Sequence, residues 1–390
     1  ISISYVLYQW IEIPFMKMRD KNALDSMRKI ATYGFLFAFL GTIVYIIFHF
    51  SQKEELSFFL AKDKRIHYVG RFDFSDDQEP KAWAPGVYLE FVAQGTSCEL
   101  VVEDEVKFGN THNYLEIVVD HRITKRIKLS SKINRIQLFK DLKEGRHHVL
   151  VCKNTESAIG FIKIKGIYCQ ELCKWKKPRK RLFEFIGDSI TCGNGADSSS
   201  CSFGKGSWYD YHNAYLSYGA RLSRSLKADW ILSSVSGIGM NKSCCGVKHS
   251  MLHIYERIDF QKGNNRWGFS MKPDVVFITL GQNDGGNETR AFEEKYRIFL
   301  QKLRRNYPKS WFVCCTSPMA GKELKQKLKK SIEKVISAHR QTGDQRIASF
   351  QYEGIYNGGY DKHPTVEQHQ LMMYELNQFV RTQAILSQLR

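Results

Sequence analysis

Three side chains in this sequence could form bonds or move protons as a set: Ser189, His363 and Asp361. A free serine hydroxyl is a poor nucleophile. It needs a base within hydrogen-bond reach and an acid that orients the base. His363 stands in the block Asp361-Lys362-His363-Pro364 and has the type the base requires, with Asp361 two residues before it to fix its tautomer. Acyl transfer also needs donors aimed at a developing oxyanion. The Ser189 N–H, the Gly237 N–H and the Asn283 side-chain amide supply three, with Gly239 as rival for the backbone donor. Asp188 and Asp284 read as local hydrogen-bonding groups. His369 falls inside the final helical run and reads as a packing residue. Alone, Gly187-Asp188-Ser189 would equally suit a strand-to-helix turn with an N-cap serine.

The elements around these residues decide between the readings. Leu182, Phe183, Phe185 and Ile186 form an apolar run of strand length ended by Gly187. Further strands are expected at Trp230-Ile-Leu-Ser-Ser-Val, Asp274-Val-Val-Phe-Ile-Thr-Leu, Trp311-Phe-Val-Cys-Cys and residues 347–352, with helical periods between them. Strand and helix in alternation imply a parallel sheet with helices on both faces. The four chemical blocks all fall just past strand ends, where such sheets collect ligands. Upstream, residues 60–172 show short alternating runs separated by polar turns, the pattern of a β-sandwich of jelly-roll type.

In this order, the blocks Gly187-Asp188-Ser189, Ser236-Gly237-Ile238-Gly239, Gly281-Gln282-Asn283-Asp284 and Asp361-x-His363-Pro364 resemble the SGNH (GDSL-type) hydrolase superfamily. The preceding sandwich and the Gly187–Gly195 wording resemble carbohydrate esterase family 2 more narrowly. The resemblance implies a flavodoxin-like three-layer α/β domain over 181–390 and an acyl-serine route that removes O-acetyl groups from a carbohydrate. It also puts Asp361 in question, because most of the superfamily places the acid three residues before the histidine, and some family 2 esterases use a Ser–His dyad with a backbone carbonyl. Two alternatives stay open: transfer of the acetyl group to a polysaccharide hydroxyl, and a non-catalytic glycan-binding module. Trp208, Tyr209 and Tyr211 could stack on a sugar or pack inward.

A net charge of +18 suggests polyanionic surroundings. No nucleic-acid-binding signature accompanies it. The basic cluster 174–181 reads as a solvated linker. No metal-ligand spacing and no phosphate-cradling motif appear, so no cofactor is expected. His147 and His148 read as surface strand residues rather than metal ligands. Of the ten cysteines, Cys314 and Cys315 alternate on a strand and read as buried thiols. Cys244 and Cys245 are adjacent, and Cys192 and Cys201 flank the loop after Ser189 and could pair in an oxidising compartment.

Residues 1–58 read as a membrane segment. The run 31–50 carries no Asp, Glu, Lys or Arg, and its length matches a bilayer core of about 30 Å. Basic residues 17–29 precede it, which by the positive-inside rule places everything after 51 outside the cytoplasm, anchored to membrane lipid. Glu12-x-Pro14-Phe15 resembles the tail of the last helix of family 3 membrane acyltransferases, which implies a fused or associated acyltransferase as partner.

Overall fold

The computed structural model describes residues 8–13, 23–51, 56–175, 181–261, 263, 265–286, 289–383 and 385–388. It divides into two units, 1–55 and 56–390. In the first, a turn of π-helix spans Tyr8–Glu12 and helix α1 spans Ala23–Ser51. The membrane expectation falls here. Among the described residues no helix is long and apolar enough to cross a membrane. Helix α1 carries Thr32, Tyr33, Gly34, Gly41 and Thr42 among its apolar residues, and the Thr42 hydroxyl turns back onto the Ala38 carbonyl at 2.7 Å. The membrane anchor and the placement of the later residues outside the cytoplasm rested on that span and fall with it. Pro14 and Phe15 of the acyltransferase-like tail lie outside the described residues, as do 176–180 of the basic cluster.

In the second unit an antiparallel β layer comes first. Its strands are β1 (Ser57–Leu60), β2 (His67–Val69), β3 (Phe72–Asp73), β4 (Lys81–Ala82), β5 (Tyr88–Asp104), β6 (Tyr114–Val119), β7 (Arg122–Lys128), β8 (Ile133–Phe139), β9 (Arg146–Lys153) and β10 (Ile162–Leu172). Strand β5 organises it. Its first half pairs with β9, from Tyr88↔Cys152 to Gln94↔Arg146, and its second half pairs with β8, while β10 runs alongside both. One long strand that changes partner midway lets the layer fold over its own apolar face.

The parallel sheet follows, with β11 (Leu182–Gly187), β12 (Asp229–Ser234), β13 (Val275–Thr279), β14 (Trp311–Cys315) and β15 (Ile347–Phe350) in the order β12-β11-β13-β14-β15. This is the 2-1-3-4-5 order of doubly wound sheets, and β11 and β13 flank the point where the winding reverses. Helices α2 (Ser189–Cys192), α3 (Tyr218–Ser225), α4 (Met251–Ile254), α5 (Thr289–Asn306), α6 (Lys322–Gln341) and α7 (Val366–Thr382) complete it. The strand period of two sorts the core. Phe183, Phe185, Val275, Phe277, Val313 and Cys315 join one cluster with α3 and α7; Ile186, Val276, Ile278, Phe312 and Cys314 join the other with α5 and α6. Cys314 and Cys315 are thus free, buried thiols on opposite faces.

The β layer is welded to this sheet. Tyr88 stacks on Trp230 at 4.1 Å and donates to Asp229 at 2.8 Å, while the Trp230 indole donates to the Gly86 carbonyl at 2.9 Å. Arg71 of the β layer is fully buried and pairs with Glu184 of β11 at 3.3 Å. Its guanidinium also donates to Ser233 and to the Tyr255 carbonyl and sits over the Tyr255 ring. A charge so placed is tolerated only because its donors are satisfied and its partner is opposite in sign.

Candidate active site

Strand β11 ends at Gly187, and the chain turns at once into α2. Asp188 caps that helix by accepting the Ile190 N–H at 3.0 Å. Ser189 is therefore the first helical residue, where no intrahelical partner exists for its N–H. Asp188 is 1% exposed; burial raises its carboxyl to about 7, opposed by the backbone N–H groups it accepts.

His363 arrives from 174 residues away. Its Nε2 lies 2.8 Å from Ser189 Oγ, and its Nδ1 lies 3.0 Å from the backbone carbonyl of Asp361. A carbonyl can only accept, so Nδ1 carries the proton and Nε2 is left to accept from the serine hydroxyl. The contact from Asp361 is thus made by its main chain, not its carboxylate, which is exposed. Two successive left-handed residues, Asp361 (φ 50°) and Lys362 (φ 58°), curl the chain so that this carbonyl meets the ring. Burial lowers the His363 pKa from its ordinary value, with the Asp361 carbonyl and charge working against that.

The curl is clamped by glycine. Gly195 has φ +68°, and a Cβ there would stand 2.7 Å from His363 Cβ and closer still to the Tyr360 carbonyl. The Tyr360 N–H donates to the Gly195 carbonyl at 3.0 Å and the Gly359 N–H to the His363 carbonyl at 2.6 Å. Gly195 is a position that spacing alone had not singled out.

The other two expected oxyanion donors follow β12 and β13, the strands on either side of β11. Gly237 has φ +78°, and its N–H has no hydrogen-bond partner among the described residues. The Gly239 N–H donates to Ser243 Oγ at 3.1 Å, so this rival is already engaged. The Asn283 amide donates to the Ile238 carbonyl at 2.8 Å and lies 3.4 Å from Asp188 Oδ2. Asp284 accepts the N–H groups of Met240, Asn241 and Lys242 at 2.7–3.0 Å and so pins the loop behind Gly239.

A second brace comes from the β layer. Glu156 is fully buried and accepts the Ser236 N–H at 2.6 Å, one residue before Gly237. Burial raises its pKa. Lys153, also fully buried, donates to the carbonyls of Trp83, Thr155 and Glu156 and so fixes the turn that carries Glu156; burial lowers its pKa to about 7. Neither residue was legible beforehand, because nothing in a turn of the antiparallel β layer marks it as reaching under a distant strand end.

The cysteines sort differently from the pairing considered above. Cys192 and Cys201 are both free. The Cys192 thiol is buried and lies 3.3 Å from Ser234 Oγ and 3.5 Å from Glu156. The disulfide instead joins Cys244 to Cys245, behind the Gly237 turn, where the Cys244 N–H donates to the Gly237 carbonyl at 2.8 Å. Tyr211 is buried and stacks on Tyr360 at 4.4 Å, and Tyr209 is 9% exposed, so both pack inward; Trp208 remains 38% exposed. His369 is buried in α7, accepts the Tyr218 N–H at 3.3 Å, and is held neutral by burial, its pKa lowered to about 3. His147 is tied to Asp120 at 2.8 Å within the β layer.

A hydroxyl hydrogen-bonded to an oriented imidazole, beside backbone and amide donors at a strand end, is the equipment of acyl transfer. Comparison with known proteins agrees. Residues 68–178 match the carbohydrate esterase 2 N-terminal family and residues 185–371 the GDSL-like Lipase/Acylhydrolase family. The chain is 30% identical over 322 residues to the cellulase/esterase CelE of Acetivibrio thermocellus, covering 80% of this chain and 38% of that protein, so it spans well under half the length of this relative. It is 24% identical to an acetylxylan esterase / glucomannan deacetylase of Cellvibrio japonicus, covering 82% of this chain and 89% of the relative. The structure of a family two carbohydrate esterase from Clostridium thermocellum in complex with cellohexaose superposes with a TM-score of 0.75 at 29% identity, over 82% of this chain and 99% of that one. The chain therefore carries a carbohydrate esterase 2 N-terminal domain followed by a GDSL-like domain and stands close to the family 2 carbohydrate esterases. Neither family match reaches residues 1–67, so the acyltransferase-like tail gains nothing from them.

Proposed function

We propose that this chain is a serine esterase of SGNH type that removes O-acetyl groups from a carbohydrate. The observation that carries the reading is the 2.8 Å contact between Ser189 Oγ and His363 Nε2, set beside the Gly237 N–H, which has no partner among the described residues. Ser189 attacks the acetyl carbonyl while His363 takes its proton. The tetrahedral oxyanion is held by the Ser189 and Gly237 N–H groups, and by the Asn283 amide when it gives up its bond to the Ile238 carbonyl. His363 then returns the proton to the departing sugar hydroxyl, leaving acetyl-Ser189. Water, deprotonated by the same imidazole, releases acetate. The Asp361 carbonyl holds the His363 tautomer and faces the imidazolium with its dipole. Family 2 relatives that deacetylate xylan and glucomannan support the carbohydrate as substrate. The β layer is proposed as a jelly-roll wall of the site, joined to it through Glu156. Transfer to a sugar hydroxyl through a membrane acyltransferase has no comparable support, and hydrolysis is the reading kept.

The test uses residues 56–390 with an aryl acetate and an acetylated xylan. The reading expects acetate release from both, lost in Ser189→Ala together with fluorophosphonate labelling. Undiminished release by Ser189→Ala would refute it.

A further inference from the structure

The loops around the site distribute their charges unequally. Asp188, Asp197, Asp210 and Asp284 are buried. Each is engaged internally: Asp188 with the Ile190 N–H, Asp197 with Asn213 and Arg126, Asp210 with Lys128 and the Ser207 N–H, and Asp284 with three backbone N–H groups. The lysines of the same loops point the other way. Lys205 follows β11, Lys242 and Lys248 follow β12, and Lys362 directly precedes His363. All four are exposed, and among the described residues no carboxylate pairs with any of them. Some lysines elsewhere find acids, as Lys163 and Lys165 do with Glu79 and Lys334 does with Glu293, whereas the exposed Lys329 and Lys330 of α6 serve as cations away from the site that are unpaired among the described residues.

Main-chain contacts place the loops that carry Lys205, Lys242 and Lys362 beside the site. The Lys205 N–H donates to Tyr211 Oη at 3.0 Å, and the Tyr211 ring stacks on Tyr360 at the base of the Lys362 curl. The Lys242 N–H donates to Asp284 at 3.0 Å, beside Asn283. Two exposed carboxylates share these loops. One is Asp361, and the other is Glu353, which follows β15, three places from β11 in the sheet. Unpaired like charges around a cleft raise the local concentration of an oppositely charged substrate and its on-rate by about 10–10³, and the effect falls with salt.

We infer that the acetylated polymer taken by this site is an acidic one, carrying anionic groups on or beside the acetylated sugar. The inference rests on the deacetylase reading and narrows its substrate class.

The test compares kcat/KM for acetate release from acetylated polygalacturonate and from acetylated xylan of matched acetyl content, at about 20 mM and about 500 mM salt. The expected preference for the acidic polymer is roughly tenfold or more at low salt and within about twofold at high salt. Replacing Lys205, Lys242 and Lys362 by Gln together should collapse the low-salt ratio, while Lys329→Gln with Lys330→Gln on α6 should not. Because the readout is a ratio within one preparation, a partly misfolded variant still reports. No preference at low salt in the wild type overturns the inference, as does an unchanged ratio in the triple variant. An aryl acetate assayed alongside separates the two failures. If the wild type does not hydrolyse it, the esterase reading has failed; if it does but prefers the neutral polymer, only the acidic substrate has.

Discussion

Gly195→Ala is the perturbation that isolates the placement of His363. The new Cβ would lie 2.7 Å from His363 Cβ, where carbon atoms pack at about 3.5–4.0 Å. The neighbour must therefore retreat by about 1 Å. On the other side the methyl meets the Tyr360 carbonyl, which is backbone and does not give, so His363 and its curl move as a unit. An alanine at φ +68° adds about 1–2 kcal/mol of left-handed strain, which for a unit of this size lowers Tm by about 1–3 °C. A shift of about 1 Å between nucleophile and base costs about 10²-fold in kcat. The assay is aryl acetate turnover with kcat and KM resolved, together with the rate of fluorophosphonate labelling and a melting curve. Loss in kcat and labelling with KM little changed is expected, below the unfolding transition. A variant whose Tm falls but whose kcat stays within about threefold of wild type would refute the argument that Gly195 holds the base in register.

Three more outcomes follow from the same geometry. Asp361→Asn keeps the carbonyl that accepts from Nδ1, so kcat should change by no more than about threefold; a loss of about 10³ or more would show the carboxylate to be the orienting group. His363 is active when neutral, and burial lowers its pKa, so kcat/KM should rise with pH along an acidic limb whose midpoint lies below 6.5; a midpoint above 7 contradicts this. Asp188 has its folded pKa raised from 3.8 to about 7. The stability it contributes is fully present below its unfolded value and is lost as pH rises toward about 7. Asp188→Asn should therefore match wild type in stability near pH 4 and exceed it increasingly up to about pH 7, by an amount on the order of 4 kcal/mol. Denaturant unfolding of both proteins across that range, with no widening gap, would rule it out.

The parallel sheet was readable because its strands are apolar runs between helical periods, and because a buried parallel strand leaves a clear β11 or β13 signature. Ser189, Gly237, Asn283 and His363 could be ordered along the chain, since each stands just past such a strand end or before the last helix. What joins them was not readable. Glu156 and Lys153 act through tertiary placement in a β-layer turn, and Gly195 matters only because a second glycine-rich curl folds against it. Asp361 shows the limit of residue type as a guide: its side chain suggested an acid, while its left-handed backbone puts a carbonyl where the acid was expected. The apolar run 31–50 failed differently: composition read over a window passes over the threonines and glycines within it, and among the described residues no helix is long and apolar enough to cross a membrane.

The most direct measurement of the central claim is the acyl-enzyme itself. Residues 56–390 mixed with an activated acetate ester, quenched in acid within milliseconds and digested, should yield the peptide containing Ser189 heavier by one acetyl group, and the adduct should vanish in Ser189→Ala. Steady turnover with no acetyl on that peptide, or with the acetyl on another residue, would contradict the account.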